Sequence, residues 1–110
     1  MPRLSPAVAR VWHGVTPTAK ADDYVAFLRA RAVPDYARIA GNRAVHLMHR
    51  AQGAVTHFVV VSHWDSRDSI TAFAGDDIAR AKYYPEDSEF LLAFEPTVEH
   101  YALGEPNTER

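Results

Sequence analysis

A chain of 110 residues with 47% hydrophobic and 24% charged side chains fits one domain, large enough to bury a core without metal or disulfide staples. It contains no cysteine, which excludes disulfides, thiolate nucleophiles and Cys-ligated metal or iron–sulfur centres. The formal net charge is −2 and Lys and Arg are scattered, so no basic field marks nucleic acid as a partner.

In chain order, the start Met1-Pro2-Arg3-Leu4-Ser5-Pro6 has two prolines and no apolar signal core. No stretch approaches the roughly 18 apolar residues of a membrane helix, so no membrane partner and a cytoplasmic location are expected. Ala7 to Val15 alternates with period two and predicts a first strand. Thr16-Pro17-Thr18 opens a helix in which Ala21, Tyr24, Val25, Leu28 and Ala32 recur at helical spacing to about Val33. Pro34 is expected to interrupt it, with one more turn over Tyr36 to Ala40 before Gly41-Asn42. Two strand-like runs follow, Arg43 to Ala51 and Ala54 to Trp64, joined by a Gln52-Gly53 turn. Asp65 and Ser66 are capping residues for a second helix that breaks at Gly75, restarts at Asp76 through Ala81 and stops at Tyr84-Pro85. Glu86 to Phe94 reads as a further short helix and Thr97 to Leu103 as a fourth strand. The core is thus expected within residues 7–103, with a frayed polar tail from Gly104 to Arg110.

The elements spell βαββαβ, an α+β ferredoxin-like domain with a four-stranded antiparallel sheet in the order four, one, three, two. With a two-residue turn at Gln52-Gly53, facing residues of the hairpin have numbers of constant sum. Val45, Leu47, His49, Thr56, Phe58, Val60, Ser62 and Trp64 then share one face. His46, Met48, Arg50, Val55, His57, Val59, Val61 and His63 share the other. Two helices cover only one face, and both are substantially apolar. A second copy of the chain is therefore the expected cover, giving a homodimer, against the plainer reading of a monomer with a half-exposed His-rich face.

Trp12-His13-Gly14, Gly41-Asn42, the run Val59-Val60-Val61-Ser62-His63-Trp64-Asp65-Ser66 and Phe73-Ala74-Gly75 together resemble the antibiotic biosynthesis monooxygenase family of dimeric α/β barrels. The resemblance spans about Val8 to Tyr101. It implies a dimeric barrel and a pocket rather than a particular substrate, a small aromatic ligand being the expected occupant; the family includes cofactor-free oxygenases, heme-degrading enzymes and quinone-acting proteins. Aligned on Trp64, the pocket Trp and iron-ligating His of the heme-degrading branch fall on Phe73 and Tyr83, which disfavours heme, although a phenol can hold ferric iron. The Asn that some polyketide oxygenases place four residues before the strand-ending Trp is Val60 here.

Six histidines are the chain's most unusual feature. His46 and His49 point to opposite faces, and His57 and His63 lie about 20 Å apart at roughly 3.3 Å per residue. His46 and His57, taken as diagonal neighbours, lack a third ligand, so no metal site is expected. Histidines lining a pocket or the dimer, or simply standing on the surface, are the remaining readings. A neutral His beside a phenol suits a general base. The expected catalytic groups are His13, His63 or His100 as base and Tyr83 and Tyr84 as oxyanion donors, with Trp12, Trp64, Phe73 and Phe58 as pocket walls; for Trp64 and the tyrosines a purely core role stays open. The expected function is a cofactor-independent, monooxygenase-like oxidation of a small hydroxyaromatic or quinone; the alternative is a non-catalytic dimer binding a small or heme-like ligand.

Overall fold

The structure, a computed structural model, describes residues 7–104; the Met1–Pro6 segment and residues 105–110 of the expected tail lie outside it. Strand β1 (Val8–Pro17) leads through a 3-10 turn at Thr18–Lys20 into a helical arm made of α1 (Ala21–Phe27), a π-helical turn (Leu28–Ala32) and α2 (Val33–Ala37). Strands β2 (Asn42–Gln52) and β3 (Val55–Trp64), helix α3 (Arg67–Ala74) and strand β4 (Glu99–Ala102) complete the domain. The sheet is antiparallel in the order β2-β3-β1-β4, as the pattern requires.

The helical arm buries Ala21, Tyr24, Leu28, Ala32 and Tyr36, a stripe spaced three or four residues apart. Pro34 does not interrupt the arm. The Val33 amide reaches back to the Leu28 carbonyl, and this wider π turn makes room for a ring that would clash with the carbonyl four residues earlier in a regular helix. α3 starts as expected, with Ser66 Oγ accepting from the Ser69 amide.

Beyond Gly75 the expectation fails. Gly75 ends α3 at φ 89°, and the helical restart from Asp76 is absent. Asp77 Oδ1 instead accepts from the Ala79 amide. The backbone then pairs with the segment before β4: Ala81 N donates to Pro96 O and Val98 N to Ala79 O, both at 2.9 Å. The expected helix over Glu86 to Phe94 is reduced to a 3-10 turn at Pro85–Glu89, held by Asp87, whose Oδ2 accepts from the Tyr84 amide and whose Oδ1 accepts from Tyr24 Oη. β4 is shorter than the alternation over Thr97 to Leu103 predicted, because Thr97 pairs with Arg80 instead.

Hairpin register matches the constant-sum rule, from Gln52 opposite Val55 to Ala44 opposite His63, where a bulge at Arg43 breaks it. The face carrying Phe58, Val60 and Trp64 lies under the helices; Phe58, Trp64, Tyr24 and Ile70 are 0% exposed. Gly14 belongs to this face because the Trp12 ring lies over it: a Cβ there would come within 2.4 Å of the indole.

Candidate functional site

Among the described residues no helix covers the opposite face of the sheet. By register it presents Ala9, Val11, His13 and Val15 from β1; His57, Val59, Val61 and His63 from β3; Ala44, His46, Met48 and Arg50 from β2; and Glu99 and Tyr101 from β4. Toward the hairpin end a shallow depression of about 240 Å³ is lined by His13, Met48, His49, Arg50, His57 and Val59. That is somewhat below the ~300–1,000 Å³ of sites for drug-sized ligands.

Four side chains beside the depression form one hydrogen-bonded row. His13 Nδ1 lies 2.7 Å from Glu95 Oε2, His13 Nε2 lies 3.3 Å from His57 Nδ1, and His57 Nε2 lies 2.9 Å from Gln52 Oε1. The imidazoles are nearly coplanar, 18° apart with centroids 5.5 Å apart, so they meet edge to edge, as an in-plane N–H···N bond needs. Register explains the pairing: His13 is directly opposite Val59, which makes His57 its diagonal neighbour.

The row has two self-consistent protonation patterns. Glu95 only accepts, so His13 Nδ1 carries hydrogen in both. With Gln52 Oε1 toward His57, every N–H points outward from His13, which is then an imidazolium paired with Glu95. With the Gln52 amide reversed, its NH₂ donates to His57 Nε2, His57 Nδ1 donates to His13 Nε2, and both rings are neutral. One proton entering at His57 Nε2 converts the second pattern into the first, and the charge comes to rest beside Glu95. Arg50 stands directly opposite His57 in the β-ladder and also lines the depression.

The residues expected to act together are distributed over both faces. His13 is in the row and the depression. His63 also lies on the open face but near the other end, edge-on to His46 with centroids 5.3 Å apart. It is thus His63, not His57, that neighbours His46: His46 pairs with Val61, and its diagonals are Val59 and His63. His100 pairs with Arg10 on the helix-covered face, so the sheet separates it from His63. Among the described residues no three His, Asp or Glu side chains could hold one metal ion.

Tyr83 and Tyr84 already spend their hydroxyl hydrogens. Tyr83 Oη donates to the Glu95 carbonyl at 2.6 Å and Tyr84 Oη to Asp35 Oδ2 at 2.6 Å. Both phenols are pushed up, first by burial; for Tyr83 the Glu95 charge adds to this, and for Tyr84 the Asp35 bond. Tyr83 thereby anchors the backbone of the residue that holds His13, and iron ligation by Tyr83 would compete with that anchor. Trp12, Trp64, Phe73 and Phe58 are core residues under the helices, none more than 7% exposed. Phe73 stacks on Tyr36 at 4.2 Å, Phe58 packs edge-on to Tyr24 at 5.0 Å, and Trp64 Nε1 donates to Ser62 Oγ at 2.8 Å.

Among the groups not singled out from sequence as site residues, His57, Gln52 and Glu95 complete the row; the register could have marked His57, but nothing local marks Glu95, which sits 82 residues from its partner. Arg10 is another. It is 1% exposed on the helix side, donates to the Ile78 carbonyl and at 3.1 Å to the Arg80 carbonyl, and lies 3.2 Å from His100 Nε2. It fastens the segment after α3 onto the sheet. Burial, then Arg10 and Arg67, lower the His100 pKa to about 4, so His100 is neutral at pH 7 and accepts from Arg10.

No protein-family model matches the chain, and no curated protein matches it. Its structure is similar to the crystal structure of a putative antibiotic biosynthesis monooxygenase from Bacillus cereus, with a TM-score of 0.55 and 11% sequence identity over 96% of this chain and 98% of that one. At that identity the shared property is architecture. The chain has the ferredoxin-like α+β fold of that monooxygenase-like protein, with Glu95, His13, His57 and Gln52 in a row along the uncovered side of the sheet.

Proposed function

We propose that this protein is a cofactor-independent, monooxygenase-like enzyme that oxidises a small hydroxyaromatic compound, working as a homodimer whose second copy covers the open sheet face. The observation that carries the reading is the Glu95–His13–His57–Gln52 row opening on the depression.

In this reading the substrate hydroxyl replaces Gln52 at His57 Nε2 and gives up its proton there. His57 passes its Nδ1 proton to His13, and Glu95 stabilises the imidazolium. Arg50 holds the phenolate. The phenolate's electron pair forms a C–O bond to dioxygen at a ring carbon bearing hydrogen, and the relay returns its proton to the peroxide. Loss of that ring hydrogen with the distal oxygen as water leaves a carbonyl. Phenol plus dioxygen thus becomes quinone plus water, one oxygen atom in each product, and no external reductant is consumed. A second copy over the face excludes the water that would otherwise solvate the anion.

Oxygen uptake with a panel of mono- and dihydroxyaromatics, without flavin or metal, tests the proposal. Stoichiometric uptake that falls with His57→Ala and His13→Ala is expected. Saturable binding with no uptake across the panel overturns the catalytic reading and leaves a binding protein.

A further inference from the structure

The one buried cation among the described residues has no acid beside it. Arg10 is 1% exposed and no described carboxylate pairs with it, whereas Arg31, Arg38 and Arg43 at the surface each have one. Removing a charge from water without an opposite charge is costly, and the carbonyls of residues 78 and 80 offset only part of that cost.

The donors of Arg10 are used unevenly. Nη1 donates to the Ile78 carbonyl and lies 3.2 Å from His100 Nε2, and Nη2 donates to the Arg80 carbonyl at 3.1 Å. Nε is fully buried and has no aligned partner. In a guanidinium, Nε–H and one N–H of Nη2 point the same way and form the edge that a carboxylate grips with two parallel bonds. That edge is the underused one. The guanidinium lies over the Phe73 ring, 5.7 Å from its centroid, and the half-buried Lys82 ammonium stands over the same ring at 4.3 Å. Lys82 likewise has no ion pair among the described residues. The Tyr36 phenol is beside Arg10, whose charge draws its pKa back against the upward push of burial. Asp87, whose charge also reaches Tyr36, is committed to Tyr24 Oη and the Tyr84 amide.

We infer that the Nε–Nη2 edge of Arg10 is the floor of a binding site for the carboxylate of a small organic acid, with Lys82 as its second cation and residues 75–84 as its cover. A carboxylate fits this edge better than a phosphate does. It is planar and singly charged, and brings no third or fourth oxygen to be left unpaired against the Phe73 and Tyr36 rings. Its arrival takes the place of the Arg80 carbonyl on Nη2 and leaves the Ile78 bond on Nη1, so the cover opens at its Arg80 end. Arg80 is exposed, and its freed carbonyl turns to water. The cover is suited to this: between α3 and the 3-10 turn at Pro85–Glu89 it has neither helix nor named strand, and Gly75 starts it at φ 89°. The site is on the other side of the sheet from the histidine row and stands independently of the function proposed above.

Titrating the ¹⁵N-labelled chain with sodium benzoate and with sodium acetate at fixed ionic strength tests the site through the arginine Nε–H resonances, that of Arg10 being assigned through its own aliphatic chain. Saturable binding should move the Arg10 Nε–H signal downfield and slow its exchange with water, and benzamide, of the same shape without the charge, should not bind. Lys82→Gln should weaken benzoate binding about three- to tenfold, and Arg10→Met, where circular dichroism shows it folded, by about a hundredfold or more. No saturation by either carboxylate at tens of millimolar overturns the site. Benzoate binding that moves the Arg50 Nε–H and leaves that of Arg10 in place overturns it equally. Binding at Arg10 that Lys82→Gln leaves unchanged overturns the second cation, and inorganic phosphate that binds there more tightly than acetate overturns the assignment to a carboxylate.

Discussion

The two faces of the one sheet are built from alternate residues of the same strands, yet they are put to different use. On the helix side, side chains are locked by dedicated partners: Trp64 to Ser62, Tyr24 to Asp87, and Arg10 to the Ile78 and Arg80 carbonyls. On the other side the valines at 11, 59 and 61 are interspersed with four histidines, of which His13 and His57 bond to each other and to Glu95 and Gln52, while His46 and His63 meet edge to face. Burial against the arm and α3 has taken up the first face for stability. The second, free of that constraint, can hold groups that gain and lose protons.

The comparison is broken or sharpened first by truncating adjacent residues of β3 that point opposite ways. Phe58→Ala should cost about 3–5 kcal/mol, a large share of the ~5–15 kcal/mol that holds a domain together. Val59→Ala should cost about 1 kcal/mol or less in urea titrations at submicromolar concentration, where a dimer is dissociated. A Val59→Ala cost that grows with protein concentration would show the open face to be buried by another copy. Equal costs at high dilution would erase the distinction between the faces.

Next in size is the effect on turnover. His57→Ala and His13→Ala should each lower oxygen uptake by about 10²–10⁴-fold, the usual worth of a positioned acid–base group, while the urea midpoint shifts little. Glu95→Gln keeps a hydrogen-bond acceptor for His13 but removes the charge that stabilises the imidazolium, so its loss should be smaller. If His13→Ala retains full uptake while His57→Ala does not, His57 acts alone and the row is not a relay.

Much of the fold was legible because periodicity and register follow from local geometry. The sum rule across Gln52-Gly53 sorted both hairpin faces correctly, and Ser66 capped α3 where the capping pattern put it. Residues 76–96 were not legible. Helical spacing at Ile78 and Ala81 is a local signal, and it lost to the pairing of residues 79–81 with 96–98 and to the bonds Arg10 makes from β1, which no local window contains. The site was half legible for the same reason. His13 could be named, whereas Glu95 arrives through that irregular segment, held there by Tyr83, whose expected part was to bind an oxyanion.

A smaller expected effect concerns Gly14, where the helix-side face is tightest. Gly14→Ala would drive a methyl group into the Trp12 indole and toward Leu91, and should cost about 1–3 kcal/mol in urea midpoint terms, the usual range for overpacking a filled core. A neutral result would mean that the ring has room to turn and that packing on this face is looser than described.

The smallest effect is a difference in pH dependence at His100, the histidine on the helix side. Its pKa falls to about 4, through burial first and then the Arg10 and Arg67 charges, against about 6.5 in an unfolded chain. Between those values the unfolded chain binds a proton that the native protein does not. Stability from this group is therefore complete above about pH 6.5 and is lost as pH falls toward 4. Because the imidazole is only partly shielded from water, the contribution is well below what the shift alone implies. His100→Gln can still offer Arg10 an acceptor but does not titrate, so its stability should decline less than the wild type's between pH 7 and 4, the carboxylates being common to both. Parallel curves from urea titrations across that window would show that His100 is solvated in the native state and that Arg10 leaves it free to protonate.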